Sequence, residues 1–368
     1  MAVGDTLKQA IADFDAGKIA SAEEGLLQIL PEHGPLFGKA QLYLGKIYQG
    51  QGNLPLAEQS FRTAARLLNQ PDVIFQLSEF LFQQKRPDEA EPVLRRILSL
   101  DPKYTDAYIR LGMFQRDRQQ ISEAIRSFEQ AIANDQRAVV ARYLLAQLCL
   151  QAGNMQRSLS QLYFVLQLQP DYVPARTLQA DLLQRMGDHR QALVELYQIV
   201  KLGRANATVF AKLGHSFEAI DDNKQAVKAY ERAFALDRSM LPLAQHAATM
   251  REALGQPKKA LQLYRVLAEH EAYQEEAQLG IQRMEQVLEQ FNLGGASFSA
   301  SVTVEPFEGP QDDDYEPPEY VSSGTTPLRP PATAPLPPSS SAPEKQEGVR
   351  GVMKGLNFFK RFSGSGDK

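Results

Sequence analysis

Apolar positions along most of the chain recur at steps of three and four, the signature of helices with one buried stripe. These blocks themselves recur. Small residues stand at Ala22, Ala57, Ala90, Ala124, Ser158, Ala192, Ala226 and Ala260, with successive spacings of 35, 33, 34, 34, 34, 34 and 34. Four positions after each comes a large apolar residue: Leu26, Phe61, Leu94, Phe128, Leu162, Leu196, Tyr230 and Tyr264. Three further on stand Ile29, Ala64, Ile97, Ala131, Val165, Ile199, Ala233 and Leu267. Twelve positions upstream of each marker is another small residue: Ala10, Gly45, Ser78, Gly112, Ala146, Ala180, Gly214 and Ala248. The pattern predicts two helices per unit, held close by the small residues.

The turn inside each pair carries glycine in five units, at Gly17, Gly52, Gly153, Gly187 and Gly255, where a left-handed helix end costs glycine least. Pro71, Pro102 and Pro170 fall between units, where a helix has to stop. A period near 34 residues sustained over eight units predicts an all-α array in which each pair buries its neighbour's apolar face. The helix-turn-helix array runs over 1–274. A last helical stretch at 275–291, with Leu279, Met284, Val287, Leu288 and Phe291 apolar, predicts a capping helix.

Past that point the pattern stops. Half of the 22 prolines lie after residue 291, with Pro317-Pro318, Pro330-Pro331, Pro337-Pro338 and a run of three serines from Ser339. Proline removes backbone donors, and little apolar surface remains to offset the entropy of ordering. Residues 292–348 are therefore expected to be a disordered linker. The segment 349–362 differs again: it holds Arg350, Lys354, Lys360 and Arg361 with no acid. On a helical wheel Val349, Val352, Met353, Leu356 and Phe359 share one side, so the segment is expected to form a basic amphipathic helix on contact.

The repeats resemble the tetratricopeptide repeat family over about residues 3–274. The resemblance rests on Leu44-Gly45-x-x-Tyr48 followed by Ala57-x-x-x-Phe61-x-x-Ala64, on Leu111-Gly112 with Ala124, Phe128 and Ala131, and on Leu213-Gly214-x-x-Phe217 with Ala226, Tyr230 and Ala233. The chain departs from the family in having no tryptophan. The resemblance implies a right-handed superhelix whose first helices line a concave face that binds partner proteins or peptides. Family members that grip a C-terminal carboxylate use lysine and asparagine. The corresponding places here hold Leu7, Ile11, Leu42, Lys46, Phe75 and Glu79, so that activity is not expected.

Projecting the repeat register puts Phe75, Glu79, Phe82, Ile109, Met113, Arg116, Val140, Tyr143 and Leu150 on the concave face of the third to fifth units. This apolar strip is the candidate partner site, with methionine and aromatics as adaptable anchors. The later units present Thr177, Asp181, Gln184, Arg185, His215, Glu218, Gln245 and Glu252, a polar surface expected to be solvated.

Composition narrows the function. Apolar residues make up 43%, as in a globular protein, and 40 basic against 44 acidic side chains leave a net charge of −4. That balance argues against nucleic acid as the partner. A single cysteine, Cys149, excludes an intramolecular disulfide and is expected to be buried. The histidines, His33, His189, His215, His246 and His270, stand at no metal-ligand spacing, and no phosphate-binding, dinucleotide or nucleophile-elbow motif occurs. The expectation is a non-enzymatic scaffold without cofactor, located in the cytoplasm because neither a secretory leader nor a membrane-spanning stretch is evident. Two alternatives stand beside it. One is an assembly factor peripheral to the inner face of a membrane, tethered to anionic lipid through Arg350, Lys354, Phe359, Lys360 and Arg361. The other is a regulatory subunit of a separate enzyme.

Overall fold

The computed structural model describes residues 2–293. The proline-rich segment and the basic segment 349–362, with Arg350, Lys354, Phe359, Lys360 and Arg361, lie outside the described residues, except that the last helix continues through residues 292 and 293. Within these bounds the chain forms 17 α-helices and no strand. They are α1 (Val3–Asp15), α2 (Ile19–Leu27), α3 (Pro35–Gly50), α4 (Leu54–Leu68), α5 (Pro71–Gln83), α6 (Pro87–Leu100), α7 (Thr105–Asp117), α8 (Ile121–Asn134) and α9 (Val139–Gln151). Then come α10 (Met155–Leu168), α11 (Val173–Arg185), α12 (His189–Lys201), α13 (Ala207–Glu218), α14 (Asn223–Leu236), α15 (Leu241–Ala253), α16 (Pro257–Leu267) and α17 (Gln274–Leu293). Two short 3-10 turns precede α3 and α17.

The described residues divide into two units, 2–148 and 149–293, with the boundary inside α9. Unit 1 stacks α1 to α8, each helix packing on the next; unit 2 does the same from α10 to α17. The fold is the helix-turn-helix solenoid that the 34-residue period predicts.

Turn chemistry explains why the pairs form. Gly17, Gly52, Gly153, Gly187 and Gly255 all have φ between 67° and 81°. In three other pairs Lys85, Gln119 and Asp221 take the same left-handed place, at φ of 57°, 62° and 63°. A side chain there meets steric resistance that glycine avoids. The second helix of several pairs is then capped: Asn53, Asn154, Asp188 and Asp222 accept from the backbone N–H three residues on.

Packing inside a pair follows a rule that links residues 16 apart. Where the first helix carries glycine the second carries a ring, as at Gly45 and Phe61, Gly112 and Phe128, and Gly214 and Tyr230. A Cβ added to Gly112 would stand 2.7 Å from the Phe128 ring, and one added to Gly45 2.8 Å from Phe61. Where the first helix carries alanine or serine the second usually carries leucine: Ala10 with Leu26, Ser78 with Leu94, Ala146 with Leu162, Ala180 with Leu196. Ala248 with Tyr264 is the exception. There a Cβ on Gly280, in α17, would stand 2.7 Å from the Tyr264 ring, so the tyrosine fills a glycine notch in the following helix.

The marker residues are core. Ala22, Ala57, Ala90, Ala124, Ser158, Ala192, Ala226 and Ala260 are fully buried, and Phe61, Phe128, Leu162, Leu196 and Tyr230 are buried against them. Each large side chain removed from water contributes about 1.5–3 kcal/mol. Cys149 is buried, as its position predicts. In α17, Ala277 and Met284 are buried and Val287 and Leu288 half-buried, whereas Leu279 is 53% exposed and does not belong to the packed stripe. No helix among the described residues is long and apolar enough to cross a membrane.

Candidate functional site

The nine residues projected onto the concave face do not share one environment. Phe75, Ile109, Met113 and Val140 are buried, while Glu79, Phe82, Arg116, Tyr143 and Leu150 are half-buried. Phe75 belongs to the hydrophobic core that joins Phe61, Phe80 and Phe114, and its ring lies 5.6 Å from that of Tyr104. Phe75, Ile109, Met113 and Val140 are therefore packed into the array rather than open to a partner. Leu150 lies beyond the boundary of unit 1 and is not part of its face.

What α5 and α7 bring together is a compact mixed cluster. The half-buried Phe82 ring stands 6.3 Å from Phe114. The Arg110 guanidinium lies 5.3 Å from the centre of the Phe82 ring, a cation–π contact, and pairs with the Glu79 carboxylate. Arg110 is only 8% exposed, yet its Nε has no hydrogen-bond partner, nor does Glu79 Oε1. Burial pushes the Glu79 carboxyl above its ordinary range, against the pull of Arg110. Asp106, one turn before Arg110, is likewise pushed up, first by burial and then by the charge of Glu79, with Asp135 and Asp72 adding to it. Asp72 accepts a 2.8 Å hydrogen bond from the Tyr104 hydroxyl, whose own ionisation is thereby made harder after burial has raised it. Arg116 pairs with the adjacent Asp117 at 2.8 Å.

Unit 2 is built differently. Tyr230 donates to Glu218 at 2.7 Å, and His246 Nε2 stands 2.9 Å from the same carboxylate. One unit on, Tyr264 donates to Glu252 at 2.9 Å and Arg283 donates to it at 3.0 Å. Burial raises Glu218, but the tyrosine and histidine outweigh it and hold the carboxyl below its usual value. Glu252 is held low chiefly by Arg283. Asp181 pairs with Lys212, Gln184 donates to the Lys212 carbonyl and to Ser216, and Gln245 donates to Glu276. Much of the polar surface expected to be merely solvated is joined by these hydrogen bonds and ion pairs.

Arg110, Asp106 and Tyr104 are absent from the projected set, although a signal for Arg110 was present. Complementary side chains 31 residues apart meet repeatedly: Glu79 with Arg110, Asp181 with Lys212, Glu252 with Arg283. That offset is one repeat less one helical turn, so it joins the first helices of consecutive pairs. The histidines also make contacts that spacing did not suggest. The His189 and His215 rings meet at 5.8 Å, and His189 Nδ1 is buried without a partner. Among the described residues no group of three histidine, cysteine or acidic side chains is placed to hold a metal.

Comparison with known proteins agrees with this architecture. Family models described as "Tetratricopeptide repeat" match residues 7–70 and 81–148, and one described as "Psidin, N-terminal TPR repeats region" matches 148–274. No curated protein sequence matches the chain. Among solved structures, a tetratricopeptide repeat protein from Parabacteroides merdae is 19% identical, with TM-score 0.47 over 64% of this chain and 93% of its own. Pseudomonas aeruginosa PilF is 18% identical, with TM-score 0.48 over 55% and 92%. YrrB, described as a TPR protein with an unusual peptide-binding site, is 21% identical, with TM-score 0.40 over 46% and 88%. Three adjoining family matches, eight copies of the 34-residue unit and helix pairs with the expected turns and small-residue contacts lead to one conclusion: the chain belongs to the tetratricopeptide repeat family, whose members serve generally as protein–protein interaction scaffolds.

Proposed function

We propose that the chain is a non-enzymatic scaffold that receives a segment of a partner protein on the face formed by α5 and α7, with Phe82 as the apolar anchor and Glu79, Arg110 and Arg116 as polar contacts. The observation that carries this reading is the Glu79–Arg110 pair, set beside the carboxylates Glu218 and Glu252 of unit 2. In unit 2 the carboxylates Glu218 and Glu252 each have a tyrosine and a second side-chain partner, His246 or Arg283. In unit 1 the Glu79–Arg110 pair keeps one donor and one acceptor unused beside a half-buried aromatic ring. Unused hydrogen-bonding capacity in a buried place is costly unless a ligand takes it up. Aromatic and arginine side chains are also the commonest centres of binding energy. Met113 and Ile109 are buried and Tyr143 is half-buried.

The experiment is comparative capture with the full chain. Phe82→Ala should remove bound partners, since a central aromatic contributes about 2 kcal/mol or more, while Glu252→Gln, in unit 2, should not. Melting of both variants guards against a folding defect. Equal capture by Phe82→Ala and the parent would refute the assignment.

A further inference from the structure

The face on α5 and α7 has a charge pattern that selects among ligands. Asp72 is exposed, Glu79 and Asp106 are half-buried, and the Asp106 carboxyl is raised first by burial and then by Glu79, with Arg110 opposing and Asp135 and Asp72 adding to it. Of the arginines nearby, Arg110 is matched by Glu79 and Arg116 by Asp117. Arg142 donates to the Gln136 carbonyl. Asp106 has neither a hydrogen bond nor an ion pair among the described residues. A cationic ligand is therefore favoured over an acidic one.

The chain itself contains such a ligand. Residues 349–362 carry four basic side chains, no acid, and five apolar residues at helical spacing. Gly351 and Gly355 lower the intrinsic helix propensity of this sequence by about 1 kcal/mol each relative to alanine. Reach is not limiting. The intervening residues 294–348 have a contour of about 180 Å at ~3.3 Å each. The eleven helices α7 to α17, even laid side by side at about 10 Å each, would span about 110 Å.

We infer that residues 349–362 dock as an amphipathic helix on the α5–α7 face of the same chain, so that the scaffold carries its own competing ligand. This rests on the reading of that face as a segment-binding surface. In it, the apolar side of the segment covers Phe82. The cations of the segment stand against Asp72 and Asp106. Tethering supplies an effective concentration in the millimolar range, so even a contact with Kd of about 100 μM is closed roughly nine-tenths of the time.

The test uses the full chain with Leu356 replaced by the photo-crosslinking residue p-benzoylphenylalanine, irradiated at low micromolar concentration with and without vesicles containing phosphatidylserine. The expected product is a monomeric species cross-linked from position 356 to residues 71–117, identified by mass spectrometry. Lys354→Glu with Lys360→Glu, which leaves the helical body untouched, should weaken the contact about tenfold and so cut the yield about in half, as should Asp72→Lys with Asp106→Lys. Dimeric products, products confined to 149–293, lipid adducts in place of protein ones, or no product would each overturn the proposal. The two readings separate cleanly. A chain that captures partners through Phe82 but yields no internal cross-link loses this inference alone. One that cross-links internally but captures equally well after Phe82→Ala loses the partner assignment alone.

Discussion

Gly112→Ala sets two effects of opposite sign against each other. Alanine inside a helix is favoured over glycine by about 1 kcal/mol, so α7 on its own would be stabilised. The new methyl, however, would lie 2.7 Å from the Phe128 ring, about 1 Å inside an ordinary carbon–carbon contact. Phe128 is fully buried on α8, and its ring has no solvent-exposed end that could swing away. Either the ring leaves its rotamer or the helices part, and overpacking of this kind costs about 1–3 kcal/mol. The clash should win, giving a net loss of about 1 kcal/mol. Phe128→Leu alone leaves a void and should cost about 1 kcal/mol or somewhat more. Together the substitutions reproduce the alanine–leucine combination that the chain uses at Ala146 with Leu162 and at Ala180 with Leu196. The pair should therefore be less destabilising than the sum of the singles, with a favourable coupling of about 1–2 kcal/mol. Equilibrium urea unfolding followed by circular dichroism measures all four corners of the cycle. An unchanged or raised midpoint for Gly112→Ala, or strict additivity, would refute the notch argument.

Other outcomes follow from features already described. Gln119→Gly should raise stability by about 0.5–1 kcal/mol in thermal melts, because glycine relieves the left-handed φ of 62°. The Arg251–Glu231 pair is about 95% buried, with side-chain exposures of 5% and 6%. Arg251→Met should therefore cost about 3–5 kcal/mol in urea titrations, whereas Arg251→Met with Glu231→Leu should recover most of it. Glu252 is held below the ordinary carboxylate value near 4.5 by Arg283, so its stabilisation is complete above that pH and is lost as pH falls through its lowered folded value. The stability difference between the parent and Glu252→Gln should accordingly shrink as urea midpoints are compared from pH 6 down to pH 3; a constant difference would contradict the assigned direction.

Much of the fold was legible because a repeat states its pattern eight times, and the markers from Ala22 to Ala260 sit where the period places them. The turn glycines were equally readable, while Lys85, Gln119 and Asp221 were hidden because nothing in a lysine or glutamine announces a left-handed backbone. The site was legible only in part. On a helix the inner and core-facing positions are one residue, about 100°, apart, and a phenylalanine at the border reaches both. Phe75 therefore joined the core beside Ile74, whereas Phe82, seven residues on, remained half-buried. Leu279 shows the reverse: an apolar residue in register with a cap yet left in water. Arg110 escaped notice because its partner Glu79 lies 31 residues away, a distance that a search at the repeat length of 34 passes over.

Links between first helices, 28 or 31 residues apart, also set the order in which unit 2 comes apart. Asp181 in α11 holds Lys212 in α13, Glu218 in α13 holds His246 in α15, and Glu252 in α15 holds Arg283 in α17. Each link bypasses the intervening second helix, so the first helices form a chain of their own alongside the covalent one. In a linear array, coupling between neighbours decides whether ends fray singly or in blocks. Here the detachment of α17 strips Glu252 of its cation and leaves the notch at Gly280 empty of the Tyr264 ring. The next pair is then weakened before it has moved. Amide exchange in α15, α16 and α17 is thus expected to report one shared opening event.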